Sequence, residues 1–246
     1  MMMCAAKKPF TLFLYDIVEK GEDGWHGDYF AAKAGYIEEC RQPLWNLPFC
    51  VDRESQRVVT QTNAIFAHLG RACGMFGDDA AAASTCEQLL CELYDLRNVM
   101  TAAVYGAADL DAAAVLASGR RHLLKLEAVL ELQARATGAA TVVHLVNGKC
   151  TAPDFHLYEL LDQFRALAEE DGQELYAGLP RLRDFRAGFA ALPENQFYLQ
   201  SWLHTELPFN GCMAKFGSLP GPKTYVHGES AKLATWRGRG VISLSP

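Results

Sequence analysis

The chain has 246 residues, half of them apolar and 21% charged, enough to bury the core of one large domain or two small ones. A net charge of −6 excludes a nucleic-acid binder that tracks phosphates with a basic face, and leaves small or neutral partners. No apolar run approaches the roughly 20 residues that a membrane-spanning helix needs.

The first twenty residues carry a basic pair, Lys7 and Lys8, and then an apolar run broken by Asp16 without a small-residue cleavage site. They read as a strand entering a fold rather than as a leader, and the chain is expected to be cytoplasmic. "FTLFLY", residues 10–15, is short and rich in aromatic and branched side chains, which predicts a buried strand. Trp25, Tyr29 and Ala32 then stand at helical spacing, and Gly35 is suited to close that helix. "YIEECR", residues 36–41, is expected as a second strand of weak alternation. "FCVD" and "RVVT", separated by the polar turn "RESQ", predict a hairpin over 49–60. "TNAIFAHLG" follows as a helix with Gly70 at its end and Thr62 as an ordinary N-cap.

Beyond Gly77 the pattern turns helical throughout. Leu89, Leu93, Leu96, Met100 and Ala103 form one stripe, and residues 120–136 repeat the period. "TAPDFHLYELLDQFRALAEE" opens with Thr151 as N-cap and Asp154 at N3, a capping box. "LPRLRDFRAGFAAL" adds a further helix, and the last thirty residues, rich in Gly, Pro and Ser, read as a tail. The expected domains are therefore 1–77, 78–217 and a flexible tail over 218–246.

The eight cysteines show no C-x-x-C, and the seven histidines show neither H-E-x-x-H nor zinc-finger spacing. No metal is expected, and the cysteines read as buried thiols. G-x-S-x-G, P-loop and G-x-G-x-x-G patterns are all missing from the sequence, and "RGRG" at 237–240 is too short and isolated for nucleic acid.

A small α/β domain followed by an all-helical domain resembles the cytosolic glutathione transferases of the mu, pi and sigma classes. The residues that carry the resemblance are "NLP" (46–48), "QTNAI" (61–65), "HLGR" (68–71), "YDLR" (94–97), "TAPD" (151–154) and "LPFNGCMAKFG" (207–217). Each is weak alone, but their order and distances agree with the family from about residue 10 to 217. The resemblance implies a thioredoxin-like N-terminal domain, glutathione as co-substrate, a hydrophobic electrophile as acceptor, a detoxification role and a homodimer.

By that resemblance Pro48 is cis and the Leu47 backbone pairs with the cysteinyl part of glutathione as an added strand would, with Asn46 beside it. Gln61 and Thr62 stand where a strand hands over to a helix, so that free N–H groups and the positive helix end meet the γ-glutamyl carboxylate. Asp95 matches the position from which pi-class proteins reach across the dimer to the γ-glutamyl amine. Trp45, with Leu44, lies where mu and pi chains carry an aromatic dimer plug; it equally suits the ligand site or plain packing.

Conjugation needs the thiolate, and an unperturbed thiol of pKa about 8.5 is only slightly ionised at neutral pH. A hydroxyl donating to the sulfur favours the anion. The family places a tyrosine at the end of its first strand: aligned from "PFTLF" that position falls on Leu14, and aligned from Gly35 it falls on Tyr15. Tyr15 is taken as the catalytic residue. Only "QPLW" separates "YIEECR" from "NLP", whereas the family inserts a loop and short helix bearing the tryptophan and lysine that hold the glycyl carboxylate. Trp45 and Arg41 are the candidates left for that end, so the site is expected to be incomplete. The alternative is a catalytically inactive protein of the same fold, acting as a binding or assembly subunit.

Overall fold

The computed structural model describes residues 1–15, 17–19, 25–52, 54–55, 57–211, 213–218 and 239–244. A short helix α1 (Met2–Ala5) precedes strands β1 (Phe10–Tyr15), β2 (Ile17–Glu19) and β3 (Trp25–Gly27) and helix α2 (Asp28–Glu39). The hairpin β4 (Phe49–Asp52) and β5 (Arg57–Thr60) leads into α3 (Thr62–Ala72). The helical part comprises α4 (Ala80–Tyr105), α5 (Ala112–Thr137), α6 (Ala152–Glu170), α7 (Pro180–Ala191), α8 (Pro193–Leu199) and α9 (Trp202–Thr205), and β6 (Arg239–Leu244) ends the described chain. A small α/β unit followed by a helical unit is the expected fold class.

Four local expectations are corrected. "YIEECR" is no strand: Tyr36–Glu39 continue α2, because Tyr29, Lys33 and Tyr36 hold a helical spacing that runs straight through Gly35. Trp25 belongs to β3, which pairs antiparallel with β2, and the helix starts only at Asp28. Gly70 does not end α3. It is buried inside the helix, where an added Cβ would stand 3.0 Å from both Ala152 Cβ and Phe76 Cδ2, so its role is the close approach of α3 to α6. Residues 239–244 of the expected tail form β6, antiparallel to β1 with Phe10 opposite Leu244 and Tyr15 opposite Arg239. With 36–39 helical, β6 is the strand that pairs with β1 among the described residues. The rest of the tail, 219–238, lies outside the described residues.

The core is helical. Leu93 and Leu96 of α4, Leu123 and Leu126 of α5, and Leu157, Leu160 and Phe164 of α6 belong to one buried cluster. Each such side chain contributes about 1.5–3 kcal/mol by leaving water. Gly119 of α5 lets the Phe164 ring approach: a Cβ there would sit 2.6 Å from its Cε1. The helix starts are well specified. Asp79 accepts from the Ala82 N–H at 2.8 Å, Asp111 from the Ala114 N–H at 2.9 Å, and the Thr151–Asp154 capping box opens α6 as expected. α3 packs between the hairpin and this bundle, and the Asn63 amide donates to the Leu90 carbonyl at 3.0 Å.

Candidate functional site

The hairpin register decides what meets at its open end. Phe49 pairs with Thr60, so the residues continuing from each strand, Pro48 and Leu47 on one side and Gln61 and Thr62 on the other, leave side by side. The Leu47–Pro48 peptide is cis, as expected. Gln61 has φ 73° and ψ 124°, a left-handed conformation that a glutamine adopts at a cost on the order of 1 kcal/mol. Its carbonyl accepts the Ile65 N–H at 3.0 Å and closes the first turn of α3. Gln61 is therefore the N-cap and Thr62 the first helical residue, which corrects the reading of Thr62 as a cap. No side chain caps this helix, so its leading N–H groups and the positive dipole end face outward beside Leu47. Asn46, Leu47 and Gln61 are exposed, and Thr62 is half-buried.

Tyr15 is half-buried at the end of β1, its ring 6.3 Å from that of Phe49, the residue after Pro48. Its hydroxyl lies 3.3 Å from the Tyr36 hydroxyl, and its ring meets Tyr29 edge-on at 5.5 Å. Tyr29 is buried; burial raises its phenol pKa, an effect the nearby Leu47 backbone amide opposes, although the hydroxyl makes no hydrogen bond of regular geometry. Tyr36 thus brings a second hydroxyl to Tyr15, and Tyr29 an aromatic edge. The sequence reading missed both, and the available signal was their seven-residue spacing on one face of α2.

Of the three places open to Trp45, the structure shows plain packing. Trp45 is only 4% exposed, stacks on Tyr36 at 4.9 Å and lies 4.6 Å from Phe49, with its indole N–H enclosed and unpartnered. The short connection draws it over the last turn of α2, where two flat aromatic faces bury it; it offers no surface to a ligand or dimer partner. Gln42 fixes that connection by donating to the Val58 carbonyl at 3.4 Å and accepting the Leu44 N–H at 3.2 Å. Arg41 is exposed with φ 48°. Asp95 is exposed on α4.

The segment Phe209–Phe216 meets the end of α4, where the Gly211 N–H donates to the Tyr105 hydroxyl at 2.9 Å. A cavity of about 250 Å³ opens elsewhere, lined by Phe66, Tyr158, Glu159, Asp162, Tyr198 and His204 among others, and includes none of the hairpin-end residues. Asp162 there is buried. Burial pushes its carboxyl up, but hydrogen bonds from His204 and Arg186 outweigh this and hold it below the usual range.

A helix start without a side-chain cap beside an exposed strand end is an arrangement that can receive an anion and an extended backbone. Residues 94–202 match the family model described as "Glutathione S-transferase, C-terminal domain". The chain is 27% identical over 173 residues to glutathione S-transferase Mu 5 of Mus musculus, covering 70% of this chain and 71% of that protein. It is 26% identical over 179 residues to the Mu 3 enzyme of Homo sapiens, covering 71% and 72%. Among solved structures, a Pi-class glutathione S-transferase of Onchocerca volvulus superposes with a TM-score of 0.62 at 20% identity, over 76% of this chain and 83% of that one. The glutathione S-transferase Blo t 8 gives 0.58 at 24% identity, over 78% and 84%. The matched segment, residues 94–202, is thus similar to the C-terminal domain of glutathione S-transferases, and the chain as a whole shares the fold of the solved glutathione S-transferase structures.

Proposed function

We propose that this chain is a glutathione transferase that conjugates the glutathione thiolate to hydrophobic electrophiles, acting as a cytoplasmic homodimer in detoxification. The observation that carries the reading is Gln61: a strained, left-handed residue at the start of an uncapped helix, beside the exposed backbone of Leu47. Strain of that kind persists where function uses it. Gln61, Thr62 and the α3 amides take the γ-glutamyl carboxylate, the Leu47 backbone and Asn46 take the cysteinyl part, and Asp95 of one protomer serves the γ-glutamyl amine bound to its partner. The Tyr15 hydroxyl donates to the sulfur. For that donation the Tyr15 hydroxyl turns from donating to Tyr36, 3.3 Å away, to accepting from it. No helix among the described residues is long and apolar enough to cross a membrane.

A second reading, a non-catalytic subunit of the same fold, is favoured by one observation. Trp45 is buried and the connection before Leu47 is short, which leaves the glycyl end of glutathione without its usual clamp. Conjugation of a generic aryl halide decides between them. Turnover in the wild type that falls on the order of 10²-fold in Tyr15→Phe, with glutathione affinity nearly unchanged, supports the enzyme. Retention on immobilised glutathione without turnover supports the subunit.

A further inference from the structure

Between α5 and α6 the chain makes a tight reversal. Asn147 and Gly148 both have positive φ, 47° and 67°, and Val146 bridges Lys149, the geometry of a two-residue turn. This folds His144 and Cys150 toward the first turn of α6, where Asp154 is wholly buried. The Asp154 carboxylate accepts the Leu145 N–H at 2.7 Å on one oxygen; on the other it accepts the Thr151 N–H at 2.6 Å and the Thr151 hydroxyl at 3.0 Å. Those bonds explain the aspartate but not its neighbours. His144 Nδ1 lies 3.7 Å from Asp154 Oδ2 and is buried without a hydrogen-bond partner. With the Cys150 sulfur, one ligand atom from each of the three residues falls within 4.8 Å of the others.

We propose that His144, Cys150 and Asp154 bind a divalent metal of the zinc type, with a fourth position open to water. Thiolate, imidazole and carboxylate together are a zinc donor set, whereas magnesium and calcium take oxygen ligands. Around a tetrahedral zinc the nitrogen–oxygen edge is about 3.3 Å, so His144 needs to move by only ~0.4 Å toward the carboxylate. The metal takes the place of the Thr151 hydroxyl on Oδ2, and that hydroxyl has the Cys86 sulfur beside it as another partner. Binding forms the metal's bonds to sulfur, nitrogen and oxygen, releases the Cys150 thiol proton and the ion's displaced waters to solvent, and involves no change of oxidation state. The effect is to clamp the 142–150 segment onto α6. The cluster shares no residue with the proposed glutathione site, so the two proposals stand or fall separately.

The test uses the full chain stripped with a chelator and titrated with Co²⁺, which reports thiolate ligation by a charge-transfer absorption band. One equivalent of Co²⁺ should produce that band and tetrahedral visible bands, and Zn²⁺ should bleach both. Cys150→Ser should abolish the charge-transfer band and His144→Phe should weaken binding at least tenfold, while Cys40→Ser and Cys91→Ser, at exposed positions, leave both unchanged. Zinc should raise the melting temperature of the wild type and of the Cys40→Ser and Cys91→Ser controls, and not that of Cys150→Ser, by mass action on the folded state. A measurement needing no variant is alkylation mapped by mass spectrometry, in which Zn²⁺ should protect Cys150 selectively. No charge-transfer band in the wild type, a band that survives Cys150→Ser, or equal alkylation of Cys150 with and without Zn²⁺ overturns the proposal.

Discussion

Acidification should destabilise this protein through one buried histidine. His156, on α6, is 2% exposed; its ring stacks on Phe66 of α3 at 4.7 Å, and its Nδ1 has no hydrogen-bond partner. Burial, helped by the positive charge of Arg97 on α4, pushes its pKa down to about 3. The unfolded chain binds that proton near pH ~6.5, so the stability that neutral His156 confers is fully present above that value. It is lost as pH falls toward 3, at about 1.4 kcal/mol per unit. Between pH 7 and pH 5 the loss is about 2 kcal/mol. With a urea slope of roughly 3 kcal/mol/M this moves the unfolding midpoint by about 0.7 M. His156→Phe keeps a flat ring against Phe66 and removes the titration. Urea unfolding of both proteins across this range should show the wild type losing about 2 kcal/mol more than the variant. Parallel curves would refute the assignment, whatever the absolute stability of the variant.

Two further substitutions test the site and the fold that carries it. Thr62→Ala should weaken glutathione binding and change stability by no more than about 0.5 kcal/mol, because Thr62 is the first helical residue and not the cap; calorimetry and thermal melting separate the two effects, and unchanged affinity would remove Thr62 from the site. Asp154→Asn should cost about 3 kcal/mol or more in urea unfolding, since the amide nitrogen would face the buried Thr151 N–H as a second donor; a loss below about 1 kcal/mol would mean that the capping box contributes little.

What the sequence disclosed, and what it did not, follows from the range of the forces involved. The Leu89–Leu93–Leu96–Met100 stripe and the Thr151–Asp154 box are local signals, each read within a few turns, and both appear where expected. The hairpin over 49–60 was legible for the same reason. Gly35 and Gly70 misled because glycine reads as a stop signal; one sits in open space within α2, and the other serves a contact with Ala152, 82 residues on. β6 joins β1 across more than two hundred residues, and a pairing of that range has no local signature. The Tyr15–Tyr36 hydroxyl pair and the burial of Trp45 depend on how the shortened connection packs, which neither residue type nor spacing encodes.

Competition calorimetry between glutathione and γ-glutamylcysteine tests the central claim most directly. The proposed site uses Gln61, Thr62 and Leu47 for the γ-glutamyl-cysteinyl part; with Trp45 enclosed and Arg41 the only cation in the 41–46 connection, removing the glycine should cost few contacts. The two ligands should bind within about threefold of each other, under 1 kcal/mol apart. A tenfold or greater preference for glutathione, about 1.4 kcal/mol, would mean that the glycyl carboxylate is clamped after all. Binding of neither ligand would contradict the assignment of this hairpin end as a glutathione site.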